Sequence, residues 1–362
     1  MYKKYLSFFT VIFAVLLFMG QGCLSVDGKN QKTEGPVGMF VSTKQGDGWT
    51  EINSLPTVEG VESLKTINVY RLAEDPQDPD TLYWASRAQG LFYSYDNGKT
   101  WQHAVGALSS GFIRSIAVHP QEKCVIFVAN GRQIFKTNDC ARSFELMYEE
   151  VRVEDSITSL AVDPFGSHDL YMSLSNGDVL ISKNEGKTWS IVKRFDTYVS
   201  DIAFDMHREG ALYIATYEKG LHRSFDRGKT WTDLSSKLEE FSGALTFRRM
   251  LVYPSQENYI YWVSEYGILV SRNAGEEWEA VNLLTPPGTV DIYGFAVNPK
   301  DNKELYYTGT IDMVRSNFYR SQDGGATWET RKLPSGQIPT QLRIHPENTD
   351  WIYMGFTIPP KS

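Results

Sequence analysis

Apolar and polar residues alternate along this chain in short runs, and the runs come in pairs around a turn. IRSIAVHPQEKCVIFVAN, ITSLAVDPFGSHDLYMSL and YGFAVNPKDNKELYYTG each give an apolar strand, a turn bearing Pro or Asp, and a second strand of large residues. Two-residue alternation bounded by turn formers predicts strands. Seven such pairs start near Val69, Ile113, Ile157, Val199, Phe247, Ile292 and Thr340. Between the pairs a second element recurs: STKQGDGW (42–49), SYDNGKTW (94–101), TNDCARSF (137–144), SKNEGKTW (182–189), SFDRGKTW (224–231), SRNAGEEW (271–278) and SQDGGATW (321–328). Their closing aromatics are 52, 43, 45, 42, 47 and 50 residues apart. That is the repeat length of a four-stranded propeller blade.

The order at the ends completes the count. The chain opens on a turn-bearing hairpin, GMFVSTKQGDGWTEI, and closes on a strand pair, TQLRIHPENTDWIYMGF. Joined, the two halves make one blade and leave no sheet edge exposed. The expected fold is all-β: a seven-bladed propeller over 37–360, closed by its N- and C-terminal strands. Asp or Asn at the third position of the repeated turn (Asp96, Asp139, Asn184, Asp226, Asn273, Asp323) can accept hydrogen bonds from turn amides. Glycine two residues on supplies a positive φ. Trp101, Trp189, Trp231, Trp278 and Trp328 then fold over the hairpin, each burial contributing about 2–3 kcal/mol. Lys44 and Ala141 depart from the pattern, and looser hairpins are expected there.

These turns match the S/T-x-D-x-G-x-T-W pattern of Asp-box (BNR) repeats, and the chain resembles that family across nearly all its mature length. Such repeats occur in sialidases, xyloglucan hydrolases, sortilin-type receptors and propeller-type photosystem II assembly factors. The resemblance implies the fold more than an activity. Sialidases of this kind carry an Arg-Ile-Pro motif and usually six blades; here there are seven repeats and no Arg-Ile-Pro. Xyloglucan hydrolases are similar in inner turns such as EDPQDPDTLYWAS, but they pair two seven-bladed propellers across a cleft.

The N-terminus stands apart. Lys3 and Lys4 precede the run YLSFFTVIFAVLLFM, followed by GQGC ending at Cys23. A basic start, a short apolar stretch and small residues mark a secretory signal. The segment resembles a bacterial lipoprotein signal over 1–22, with lipid on Cys23 and a polar tether over 23–36. Gly20, where leucine is usual, keeps an ordinary signal peptide or an uncleaved anchor open. The expected place is a bacterial cell envelope, with the propeller lipid-anchored on the extracytoplasmic side of a membrane, an outer membrane included. Cys124 and Cys140 flank the two strands around Asn130 and Gly131, and a tight turn there would bring them within disulfide reach.

Composition narrows the chemistry. A net charge of −8 supplies no basic surplus for a nucleic-acid partner. Counting from Asp96, the twelfth position of a calcium loop would be Ala107, not a glutamate. With no HExxH, P-loop or GxGxxG, no metal and no cofactor is expected. His119 and His345 precede prolines and are assigned to turns.

What remains is the channel mouth opposite the Asp-box turns. Aligned inner strands put Arg71, Ser115, Ser159, Asp201, Arg249, Gly294 and Gln341 at one level, with Tyr70, Arg114, Thr158, Ser200, Arg248, Tyr293 and Thr340 one step before. Strand alternation would send only part of each row into the channel. Arg71, Arg114, Arg248 and Arg249, with Asp201, Tyr70 and Tyr293, are the expected site for an anionic or carbonyl-rich ligand. The competing assignment pairs these arginines with Asp201, Glu74 and neighbouring blades. The leading expectation is a monomeric, non-enzymatic binding or assembly scaffold for a protein or glycan partner. The alternative is a divergent glycoside hydrolase, sialidase-like or xyloglucanase-like, with carboxylates drawn from Asp201, Glu265 and Asp312.

Overall fold

A computed structural model describes residues 33–166 and 168–358. The expected leader and the Cys23 lipid site lie outside them. Seven four-stranded antiparallel sheets follow one another around a ring. The inner strands of blades 1 to 7 are Arg71–Asp75, Ser115–Val118, Ile157–Val162, Val199–Phe204, Phe247–Val252, Asp291–Asn298 and Ile338–Ile344. A two-stranded hairpin, Ser54–Thr57 with Gly60–Ser63, is inserted before blade 1.

Blade 7 is the closure. Gly38–Ser42 pairs with Ile352–Thr357, matching Met39 with Gly355 and Val41 with Tyr353. Thr50–Glu51 lies outside it and Ile338–Ile344 inside. Glu34, Gly35 and Pro36, at the end of the expected tether, accept hydrogen bonds from Gly336, Gln337 and Ser335.

Middle strands explain their composition. Leu212–Thr216 and Ile260–Ser264 are buried at every position, so both faces are apolar. Each face packs on a neighbouring blade, and the core is a set of layers between blades. In one layer Tyr213 and Leu221 of blade 4 meet Ile260 and Trp262 of blade 5. In another, Met39 and Tyr353 of blade 7 meet Leu72 and Trp84 of blade 1. The second layer exists only if the ring is closed. Outer strands such as Ser190–Arg194 are mostly exposed and hence polar.

The Asp-box turns hold as their letters require. Thr230 donates to Asp226 from its amide (2.8 Å) and its hydroxyl (2.6 Å), and Ser224 donates from its hydroxyl (2.8 Å). Asn184 and Asn273 accept the corresponding amide from Thr188 and Glu277, each at 2.9 Å. The fifth box position is left-handed: Gly228 has φ +87, and a Cβ there would stand 2.4 Å from Val192. Ala141 adopts the same region at φ 69 and keeps its amide bond to Thr137 (3.1 Å). The hairpin expected to be looser thus has the same shape, with strain in place of glycine.

The box tryptophans differ in what their indole nitrogens meet. Trp101 and Trp328 donate to Ile52 and Asn282 of the preceding blade (2.7 and 2.6 Å), while Trp189 and Trp231 donate within their own turns. Trp278 is buried with its indole nitrogen unpartnered.

Cys124 and Cys140 are disulfide-bonded, with Cα atoms 4.2 Å apart. In blade 1 the same two turns are joined by a backbone bond, Asn97 amide to Asp80 carbonyl, and blade 4 uses Arg227 to Gly210. The covalent link in blade 2 therefore takes the place of a repeated hydrogen bond. His119 and His345 accept turn amides at Nδ1, from Glu122 (2.9 Å) and Asn348 (3.0 Å).

Candidate functional site

Inner strands begin at the mouth with a local fault in pairing. The register slips at Thr158, Ser200, Arg248, Tyr293–Gly294 and Thr340 in blades 3 to 7. Blade 1 makes the same doubling: Tyr70 donates its amide to Ala85, which is also the register partner of Arg71. A bulge lets two consecutive residues oppose one and re-aims their side chains. Strict alternation, which would send one row away from the channel, does not operate here.

The first row is tied together across the channel. Ser159 of blade 3 donates to Asp201 of blade 4 (3.0 Å), and Asp201 stands 3.7 Å from Arg71 of blade 1. Arg249 of blade 5 donates to the Thr340 carbonyl of blade 7 (3.2 Å), and Gln341 donates to the Tyr70 carbonyl (2.6 Å). The second row forms the rim. Arg248 pairs with Asp291 of the next blade at 2.9 Å and lies over the Tyr293 ring. The Tyr70 ring meets Phe112 edge-on at 4.7 Å, with Arg87 over Tyr70 and Arg114 over Phe112. Arg114 also donates to the Tyr198 hydroxyl at 3.5 Å.

Two of the four expected ligand-binding arginines, Arg71 and Arg248, are thus ion-paired with the protein's own carboxylates. One pair crosses the channel from blade 1 to blade 4, and the other joins the adjacent blades 5 and 6. Arg114 and Arg249 have only neutral acceptors. The mouth carboxylates are Asp201 and Asp291, with Glu265 and Asp312 exposed on the turns of blades 5 and 6. Arg87, Phe112, Tyr198 and Tyr217 complete the rim and were not singled out by pattern. Tyr198 is 37% exposed and Tyr217 is 51% exposed.

A second unforeseen cluster lies between blades 2 and 3. Glu150, Asp155 and Asp178 are buried around Arg152, at 2.9, 3.1 and 3.2 Å. Hydrogen bonds from Arg152 hold the Glu150 carboxyl at about 2, while burial pushes Asp155 up. Buried carboxylates sharing one guanidinium cannot reach a polysaccharide, and the cluster anchors the crossing between the blades. The signal was present in sequence as EVRVED followed by the turn NGD. A cavity of about 570 Å³ opens between blades 3 and 4 at the Asp-box end, where Arg227 is committed to Asp163 (2.6 Å) and Glu209 (2.8 Å). Among the described residues no group of three His, Cys, Asp or Glu could hold a metal ion.

The molecule is a seven-bladed Asp-box propeller, and comparison with known proteins agrees. The BNR/Asp-box repeat model matches residues 92–103, and the model described as "Sortilin, neurotensin receptor 3" matches 266–357. A probable oligoxyloglucan-reducing end-specific xyloglucanase of Neosartorya fischeri is 26% identical over 319 residues, 75% of this chain and 35% of that protein. The chain therefore spans about a third of that relative's length. The GH74 xyloglucanase of Xanthomonas campestris superposes with a TM-score of 0.64 at 16% identity, covering 81% of this chain and 51% of that one. YCF48 bound to a D1 peptide superposes at 0.59, also 16% identical, covering 82% of this chain and 94% of that one. At those identities the structural likeness is one of fold.

The sequence relative changes the functional assignment. Its name is that of a xyloglucanase, as is that of a Paenibacillus relative 24% identical over 269 residues, 66% of this chain and 23% of that protein. This overturns the leading expectation of a non-enzymatic binding or assembly scaffold. It favours the glycoside-hydrolase alternative, on the xyloglucanase side.

Proposed function

We propose that the protein is a glycoside hydrolase acting on a β-glucan of the xyloglucan class, and that the glycan lies across the channel mouth. The observation that carries the proposal is the rim itself. Exposed Tyr198 and Tyr217 put aromatic side chains at a mouth that also holds Tyr70, Phe112 and Tyr293, each with an arginine over its ring, and two arginine-paired carboxylates, Asp201 and Asp291. Pyranose rings present C–H faces that pack on aromatic rings, while their hydroxyls need polar partners between them. Hydrolysis of a glycosidic bond takes one carboxyl as acid and one as base or nucleophile. Asp201, Asp291, Glu265 and Asp312 are the mouth groups from which that pair is drawn.

The xyloglucanase relatives support the substrate class. The test is release of reducing ends from xyloglucan, mixed-linkage β-glucan and a sialoside. Xyloglucan is expected to be cut and the sialoside left intact. Absence of new reducing ends from every β-glucan, with the protein folded, would overturn the proposal.

A further inference from the structure

The channel holds more positive charge than its own groups answer. Arg71, Arg249 and Arg343 stand on the inner strands of blades 1, 5 and 7. Among the described residues Asp201 is the carboxylate within ion-pair distance of this set, and it is paired with Arg71. Arg249 has the neutral Thr340 carbonyl at 3.2 Å. Arg343 keeps its Nε buried without an acceptor, and Glu74 on blade 1 keeps Oε1 buried without a donor. Burial pushes the Glu74 carboxyl up, against the pull of Arg343, and with Glu74 counted three guanidiniums still face two carboxylates.

The strain shows on Arg249. Burial first, then Arg343 and Arg71, push its guanidinium down to about 9. Arginine does not give up its proton inside a protein. The same unfavourable potential is relieved if an anion enters.

We propose that the channel between blades 1, 5 and 7 is a binding site for one small carboxylate, held by Arg249 and Arg343. The chemistry suits it. A guanidinium offers paired N–H donors that match a planar carboxylate, and both arginines have donors to spare. The carboxylate comes from a free small acid or from a uronic acid unit of a glycan at the mouth. Only the second source rests on the hydrolase reading.

Thermal unfolding of the full chain tests the site. Sodium acetate and sodium glucuronate are titrated against sodium chloride at equal ionic strength. The wild type should show a saturable rise of about 2 °C at ten times the half-saturating concentration. Arg249→Gln and Arg343→Gln should each weaken half-saturation at least about tenfold. Arg249→Lys, which keeps the charge without the fork, should fall between. Arg249→Gln removes a like charge from the cluster, so its melting point without anion should stay at or above that of the wild type.

Lys99→Gln, which removes an exposed positive charge at the opposite, Asp-box end, should bind as the wild type does. A glucuronate-bearing oligosaccharide that binds at least as tightly as free glucuronate assigns the site to a glycan; free acids alone assign it to a small metabolite. Both outcomes support the site. No saturable stabilisation in the wild type, or stabilisation that survives both glutamine substitutions, would overturn it. The measurement reads anion binding and not polysaccharide cleavage, so either proposal can fail without the other.

Discussion

Removing the Asp226 carboxylate isolates what one Asp-box turn contributes. Asp226→Ala deletes three hydrogen bonds, from the Thr230 amide and hydroxyl and from the Ser224 hydroxyl. The turn is exposed at the Asp-box end, so water replaces part of the loss, and the cost resembles that of a lost helix cap, about 1–2 kcal/mol. For a propeller of this size that lowers the melting point by about 1–3 °C. The pH dependence makes the assignment specific. Thr230, through its hydroxyl and then its amide, holds the folded carboxyl at about 2, against an ordinary 3.8. A depressed acid stabilises the fold fully above 3.8 and loses that contribution as pH falls from 3.8 to about 2. The wild type and Asp226→Ala should therefore differ at pH 7 and converge near pH 2.

Asp226→Asn is the control, because Asn184 and Asn273 already accept the same amide in blades 3 and 5. It should keep most of the stability and lose the pH dependence. Denaturant unfolding followed by tryptophan fluorescence at several pH values reads both effects. If Asp226→Asn is as unstable as Asp226→Ala, the acceptor geometry is not what holds the turn. If the gap between wild type and Asp226→Ala is independent of pH, the charge is not involved.

Other outcomes follow from the same geometry. Ala141→Gly should stabilise by about 1 kcal/mol, since Ala141 sits at φ 69 where glycine carries no steric penalty; a loss of stability in urea titration would contradict this. Cys140→Ser should cost about 3 kcal/mol for a bridge closing 16 residues, and thiol labelling of the denatured, unreduced wild type should find neither Cys124 nor Cys140 reactive. Deleting 340–362 removes both inner strands of blade 7, and cooperative unfolding by calorimetry should be lost; a truncated chain that melts like the full one would refute closure.

The repeat made the fold legible. Seven turns and seven strand pairs, offset at the termini, required closure, and the observed pairing of Gly38–Ser42 with Ile352–Thr357 is that closure. The rows at the inner-strand starts were legible as levels, because equal spacing from a turn places equal positions at equal heights. Their orientation was not. A bulge is a property of pairing between two strands, and nothing in FRRM or IYGF announces that Arg248 or Tyr293 is an extra residue. Nor does spacing within a blade say which blade lies across the channel. Arg71 and Asp201 are 130 positions apart and meet only because the ring brings blades 1 and 4 face to face. The rim residues Arg87 and Tyr217 lie on turns of variable length, outside any repeat alignment.

The most direct test of the account compares hydrolysis at the two ends of the propeller in one assay. Xyloglucan is incubated with wild type, Asp226→Ala, Asp201→Asn, Asp291→Asn, Glu265→Gln and Asp312→Asn, each verified as folded, and reducing ends are measured. Cleavage at the mouth predicts near wild-type release from Asp226→Ala and a loss of about a hundredfold or more from at least one of the mouth variants. Equal release from all six proteins, or none from the wild type, would contradict it.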